Sequence, residues 1–168
     1  MSTSTDYLAP WSVSLKAITF STSAVLLTIA VTGAVNADLP LLSRIGLACG
    51  SPILLAACAL TVVRGYRIIS NVLLVERLLW TTRISLEGLV AAEVAPRALR
   101  GTLRLWGNGG LFSFSGWFWS KRLGRFRMFA TDPRRVVVLQ FRNRCVVISP
   151  KWPDEFVDQL KHEIATYG

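Results

Sequence analysis

Two uninterrupted apolar stretches dominate the first third of the chain, and alternation of apolar and polar positions takes over after them. Residues 17–35 carry no charged side chain, and neither do residues 45–63. Each run has close to the roughly 20 residues that cross about 30 Å of hydrocarbon, so each predicts a membrane-spanning helix. Between them, Asn36-Ala37-Asp38-Leu39-Pro40 is a polar link short enough to join only antiparallel neighbours. The expectation is a transmembrane helical hairpin over residues 16–63, preceded by an N-terminal tail, residues 1–15. Lys16 ahead of the first run and the small residues around Val35-Asn36-Ala37 also suit a cleaved leader, but the run exceeds the roughly 7–15 residues of a leader's apolar segment.

After residue 63 the period shortens. Residues 66–69 and 72–76 flank Ser70-Asn71 as a tight hairpin, and residues 81–85 and 89–94 read as further short strands. Arg125-Phe126-Arg127-Met128 alternates charged with apolar, as a strand with one wet face does. Asp132-Pro133 supplies a turn, 136–141 is a β-branched run, Arg142-Asn143-Arg144 turns again, and 145–149 is a last strand. Pro153 then opens a helix whose first turn carries Asp154 and Glu155 and whose apolar stripe is Phe156, Leu160 and Ile164. The predicted fold for residues 64–168 is α+β: about seven antiparallel strands in a sandwich or partly open barrel, capped by one C-terminal helix.

Charge sharpens this division. Residues 1–63 hold two basic and two acidic side chains, so the whole net charge of +9 belongs to the strand-rich part. Arg64 and Arg67 follow the second apolar run directly, and by the positive-inside rule the C-terminal domain is expected in the cytoplasm, with both termini there and the protein multi-pass in the cell membrane. Cys49, Cys58 and Cys145 are too scattered for a disulfide framework, and no Cys/His cluster suggests a metal. Asp154, Asp158 and His162 align on one helix face, which reads as the solvated side opposite the apolar stripe. No nucleophile with a nearby histidine and no Gly-x-Ser-x-Gly elbow is present, so no enzyme and no cofactor is expected.

Three motifs recur in a telling order: Gly107-Asn108-Gly109-Gly110-Leu111-Phe112, then Leu123-Gly124-Arg125-Phe126-Arg127-Met128-Phe129-Ala130-Thr131-Asp132-Pro133, then Ile148-Ser149-Pro150 before the helix. Together they resemble the bacterial PH-domain family of small membrane-anchored proteins. The resemblance covers about residues 66–164 and implies a pleckstrin-homology-like fold with a non-catalytic binding or scaffolding role. Phosphoinositide-binding PH domains crowd basic residues around their first hairpin, whereas Ser70-Asn71 has only Arg67 nearby, which argues against an inositol-phosphate pocket.

The candidate surface is the aromatic-rich segment 111–120 and the cations after it: Phe112, Phe114, Trp117, Phe118, Trp119, Lys121, Arg122, Arg125 and Arg127. Aromatic rings favour the headgroup layer, and each Lys or Arg near an anionic leaflet contributes about 1 kcal/mol. The expectation is a loop that docks on anionic phospholipid headgroups or on a membrane or cytoplasmic protein, with covering of the open sandwich end as the structural alternative. Basic and aromatic residues also interleave in nucleic-acid sites, but the membrane tether argues against that partner. Gly46 and Gly50 form a GxxxG spacing, expected to pack the hairpin or to support a homo-oligomer, with Ser21, Thr22, Ser23, Thr28 and Thr32 as the packed face of the first helix. An accessory or assembly subunit of a larger membrane complex, recognised through that hairpin, is the alternative role.

Overall fold

A computed structural model describes the backbone of residues 5–167 and the side chains of residues 6–162. The chain begins with a short strand, β1 (Thr5–Leu8), and continues into two long helices, α1 (Val13–Val35) and α2 (Leu41–Leu60). Ser12 caps α1, its Oγ accepting from the Leu15 N–H at 3.1 Å, so the helix starts four residues before the apolar run. α2 starts directly after Pro40 and ends three residues before its apolar run does, because Val63 is fully buried in the sandwich that follows. Both helices are long and apolar enough to cross a membrane, and most of their surface is exposed, unlike the core helices of a water-soluble fold.

The two helices pack antiparallel at a point the sequence reading did not single out. A Cβ on Gly33 would lie 2.5 Å from the Leu47 Cβ and 3.1 Å from the Ala48 backbone N, so this α1 glycine is what permits close approach. Gly46 and Gly50 would meet nothing within 4 Å. They occupy the outer face of α2 and do not pack the hairpin, because the inward stripe is Arg44, Ala48, Ser51 and Leu55. On α1, Thr22 and Ser23 are partly covered, but Ser21, Thr28 and Thr32 are exposed. Arg44 donates to the Ala34 carbonyl at 3.0 Å, closing the C-terminal end of α1 with a cation.

Strands β2 (Val63–Ile69), β3 (Val72–Arg77) and β4 (Thr81–Ser85) form a meander that β1 joins at the edge, giving a sheet of order β1-β2-β3-β4. Residues 5–8, expected in a tail, are thus part of the domain: Tyr7 pairs with Tyr66 and Asp6 with Arg67, whose side chains form an ion pair. The second sheet contains β5 (Leu89–Val94), β6 (Leu103–Gly109), β7 (Phe114–Ser120), β8 (Gly124–Ala130), β9 (Val137–Phe141) and β10 (Cys145–Ile148), in the order β5-β9-β10-β8-β7-β6. All its pairs are antiparallel except β8 and β10, which run parallel. The chain ends in α3 (Pro153–Tyr167).

The inner faces of the two sheets and α3 enclose one core, with Tyr66, Ile68, Leu73, Val75, Phe129, Leu139, Ile148, Phe156 and Leu160 all essentially inaccessible. Phe156 and Leu160 deliver the predicted apolar stripe, and Ile164 lies outside the described side chains. Tyr66 pins the centre: its hydroxyl donates to the Phe129 carbonyl at 2.6 Å and accepts from the Ser149 N–H at 3.1 Å. Burial pushes that phenol up to about 12. A second core lies on the other face of the six-stranded sheet, where Phe118, Phe126, Met128, Val138 and Val147 are covered by Ala95, Ala98 and Leu99 of the β5–β6 connection.

Candidate functional site

The segment expected to be a loop is mostly strand. β7 takes residues 114–120, and its alternation sends neighbouring aromatics to opposite sides of the sheet. Phe118 is 4% exposed and stacks on Phe126 with ring centroids 6.1 Å apart, and Phe114 packs beside the same core. These two do not share a surface with Trp117 and Trp119. On the opposite face Trp117 stands across from Arg127 and Trp119 across from Arg125, in register. The Arg125 guanidinium lies 4.7 Å from the Trp117 ring and that of Arg127 5.7 Å from it, each within cation–π reach. Trp117, Trp119, Arg125 and Arg127 are all exposed.

This face continues the inner side of the sandwich, because Phe129 follows Arg125 and Arg127 on the same side of β8 and is covered by the four-stranded sheet. Arg127 also lies 5.0 Å from the Phe129 ring. Beside the ladder, the edge strand β6 exposes Leu103, Leu105 and, at 79% exposure, Trp106. Lys121 and Arg122 sit in the β7–β8 turn at the far end of the strands, where Arg122 pairs with Glu93 at 3.2 Å.

Phe112 belongs elsewhere. Its loop is bound to both long helices: the Phe112 N–H donates to Thr19 Oγ1, in the second turn of α1, at 3.0 Å, and Ser113 Oγ donates to the Thr61 carbonyl at the end of α2 at 2.9 Å. The Asn108 side chain donates to Thr61 Oγ1 at 2.9 Å and accepts from the Leu111 N–H at 2.9 Å. Phe112 holds φ at +66°, an uncommon value for a residue with a Cβ, and its ring meets Trp11 edge-on at 6.2 Å. The loop is thus a joint between the domain and the helices, not a free finger.

Arg77 is the residue that sequence reasoning missed most completely. Its guanidinium donates to the Thr61 carbonyl at 3.1 Å, to Ser115 Oγ at 2.8 Å and to Thr82 Oγ1 at 3.2 Å, and lies 5.0 Å from the Phe129 ring and 5.6 Å from that of Trp80. Burial, and then the neighbouring Arg127 charge, lower its pKa from the usual arginine value. A cation against the carbonyl end of α2 is favoured by the helix dipole. Its only sequence signal is an arginine at the end of an apolar strand.

The cysteines are free, and burial pushes the Cys145 thiol up to about 11, away from nucleophilic use. Among the described residues no group of three or more His, Cys, Asp or Glu side chains could hold a metal ion. The arrangement is suited to binding: the sheet presents two indoles and two guanidinium groups on one open face, both guanidiniums lying within reach of the Trp117 ring.

A family model described as "Bacterial PH domain" matches residues 64–164, more than half of the chain. No curated protein and no solved structure matches it.

Proposed function

This chain belongs to the bacterial PH-domain family, and we propose that it is a membrane-anchored, non-catalytic binding protein that holds a protein partner on the face formed by Trp117, Trp119, Arg125 and Arg127. The observation that carries this reading is the ladder's position. Phe114 and Ala130 pair level with the helix ends, since Ser113 bonds Thr61 and Thr131 bonds Pro10. Trp119 and Arg125 lie five residues further along, about 17 Å at strand rise. Measured along the strand that exceeds the Debye length of about 8–10 Å, so a leaflet at the helix ends attracts Arg125 weakly, while Arg127, three residues and about 10 Å along, stands at that length. Exposed indoles and arginines are the side chains that anchor protein interfaces, and the +9 charge favours an acidic partner.

The anchor is a retained hairpin with both of its ends on one side. The antiparallel pairing of β1 with β2 supports this, because residues before α1 and after α2 then share a sheet. Arg64 and Arg67 after the second span favour the cytoplasmic side. A reporter fused after Gly168 tests that assignment: activity on the outer side of the membrane overturns it.

The partner is tested in the full chain in native membranes, with a photo-crosslinking residue replacing Trp119. Crosslinks to a protein that disappear on Arg125→Glu and Arg127→Glu are expected. Crosslinks to lipid alone, or ones indifferent to charge reversal, overturn the reading. One observation favours a second role, recognition through the hairpin itself: Gly46 and Gly50 present an open, side-chain-free strip on α2 that another helix can approach closely.

A further inference from the structure

The four-stranded sheet has two tight turns of opposite character, and the difference follows their distance from the helices. Ser70-Asn71, between β2 and β3, is polar, and both residues have positive φ, +46° and +62°, as a two-residue hairpin turn with native twist requires. The turn between β3 and β4 is Leu78-Leu79, closed by the Arg77 N–H donating to the Trp80 carbonyl at 3.0 Å. It has neither glycine nor an Asn or Asp, the residues such turns prefer. Leu78, Leu79 and Trp80 are 46%, 73% and 45% exposed. Three consecutive exposed apolar residues at a hairpin tip are what a water-facing turn avoids.

Register puts this tip at the α2 end of the domain. Val63, the first residue after the α2 connection, pairs with Arg77, and the Arg77 guanidinium bonds Thr61 and lies 5.6 Å from the Trp80 ring. The Ser70-Asn71 turn is at the other end of the same two strands, about 20 Å away at strand rise.

We infer that Leu78, Leu79 and Trp80 enter the lipid bilayer beside α2, with the leucines in the acyl boundary and the Trp80 indole at headgroup level. The occupant is the bilayer itself, because the tip is continuous with the end of a helix long and apolar enough to span it. An aromatic ring behind two leucines suits the interface between acyl chains and headgroups. The tip's own contribution is apolar, so neutral lipid suffices. This inference rests on the reading of α1 and α2 as membrane spans. It also turns the first hairpin, Ser70-Asn71, away from the membrane.

The test is spin-label accessibility in the full chain, reconstituted in phosphatidylcholine vesicles with the three native cysteines replaced by alanine. Labels are placed singly at Leu79→Cys, at Ser70→Cys and, as a control on the spans, at Ile53→Cys. The expected result is a Leu79 label shielded from a water-soluble nickel chelate and open to oxygen, about 5–10 Å into the headgroup–acyl boundary, with the Ser70 label fully aqueous. A Leu79 label as accessible to nickel as Ser70, with Ile53 shielded, overturns the inference and leaves the spans standing. An aqueous Ile53 label overturns both. Hydroxyl-radical footprinting of the unsubstituted chain gives an independent reading: Trp80 protected by the bilayer and Trp119 oxidised is expected, and equal oxidation of the two overturns insertion.

Discussion

The two faces of the β7–β8 pair are built from the same fourteen residues and have opposite fates. One face carries Phe118, Phe126 and Met128, sealed beneath the β5–β6 connection. The other carries Trp117, Trp119, Arg125 and Arg127, open beyond the rim of the four-stranded sheet. Both are aromatic, so aromatic content does not distinguish them. What does is which element covers each face. The closed face supplies stability and the open face is free to supply recognition, and substitutions on the two should separate accordingly.

The largest effect is expected from Phe126→Ala on the closed face. Phe126 is fully buried against Phe118, and its removal should destabilise the domain by about 3–5 kcal/mol, read as a lowered denaturant midpoint in detergent-solubilised protein. A loss below about 1 kcal/mol would mean that this face is not a true core. Next is Tyr66→Phe, which leaves the Ser149 N–H without its buried acceptor and should cost about 1–3 kcal/mol.

Tyr66 also makes a pH prediction. With the folded phenol pushed up to about 12 from 10, the unfolded chain ionises first. Stability is therefore fully present below pH 10 and is lost as pH rises from 10 toward 12. Tyr66→Phe should flatten that alkaline fall in melting temperature, and an unchanged slope would show that another group controls it.

The smallest stability effect is expected from Arg125→Ala on the open face, where an exposed cation–π contact contributes about 0.5–1 kcal/mol. The same change should reduce partner crosslinking at Trp119, which Phe118→Leu should leave in place wherever the domain folds. A large stability loss at Arg125 would erase the contrast between the faces.

Much of the architecture was legible from local pattern. Two long apolar helices, each beginning four residues ahead of its charge-free run, the Ser70-Asn71 hairpin, the strands at 81–85 and 89–94 and the buried Phe156 and Leu160 of α3 follow the local pattern. The aromatic segment was less so. Gly107, Gly109, Gly110 and Gly116 resemble a loop in sequence, yet Gly107 and Gly116 face one another across β6 and β7, where a Cβ on either would collide with the partner backbone. Glycines serving close strand approach cannot be told from glycines serving a turn until the partner strand is known.

Sequence alone therefore determined what depends on neighbours a few residues apart: two charge-free runs long enough to span, a basic alternating region after them, and a final amphipathic helix. Tertiary structure decided what depends on residues brought together from afar. It drew Thr5–Leu8 into the domain through pairing with β2, and it chose Gly33 over Gly46 and Gly50 as the hairpin's contact. It also divided Trp117 and Trp119 from Phe118, and it set Leu78, Leu79 and Trp80 beside the end of α2. The physical reason is common to all four: burial and proximity belong to pairs of elements, and no single stretch of chain encodes its partner.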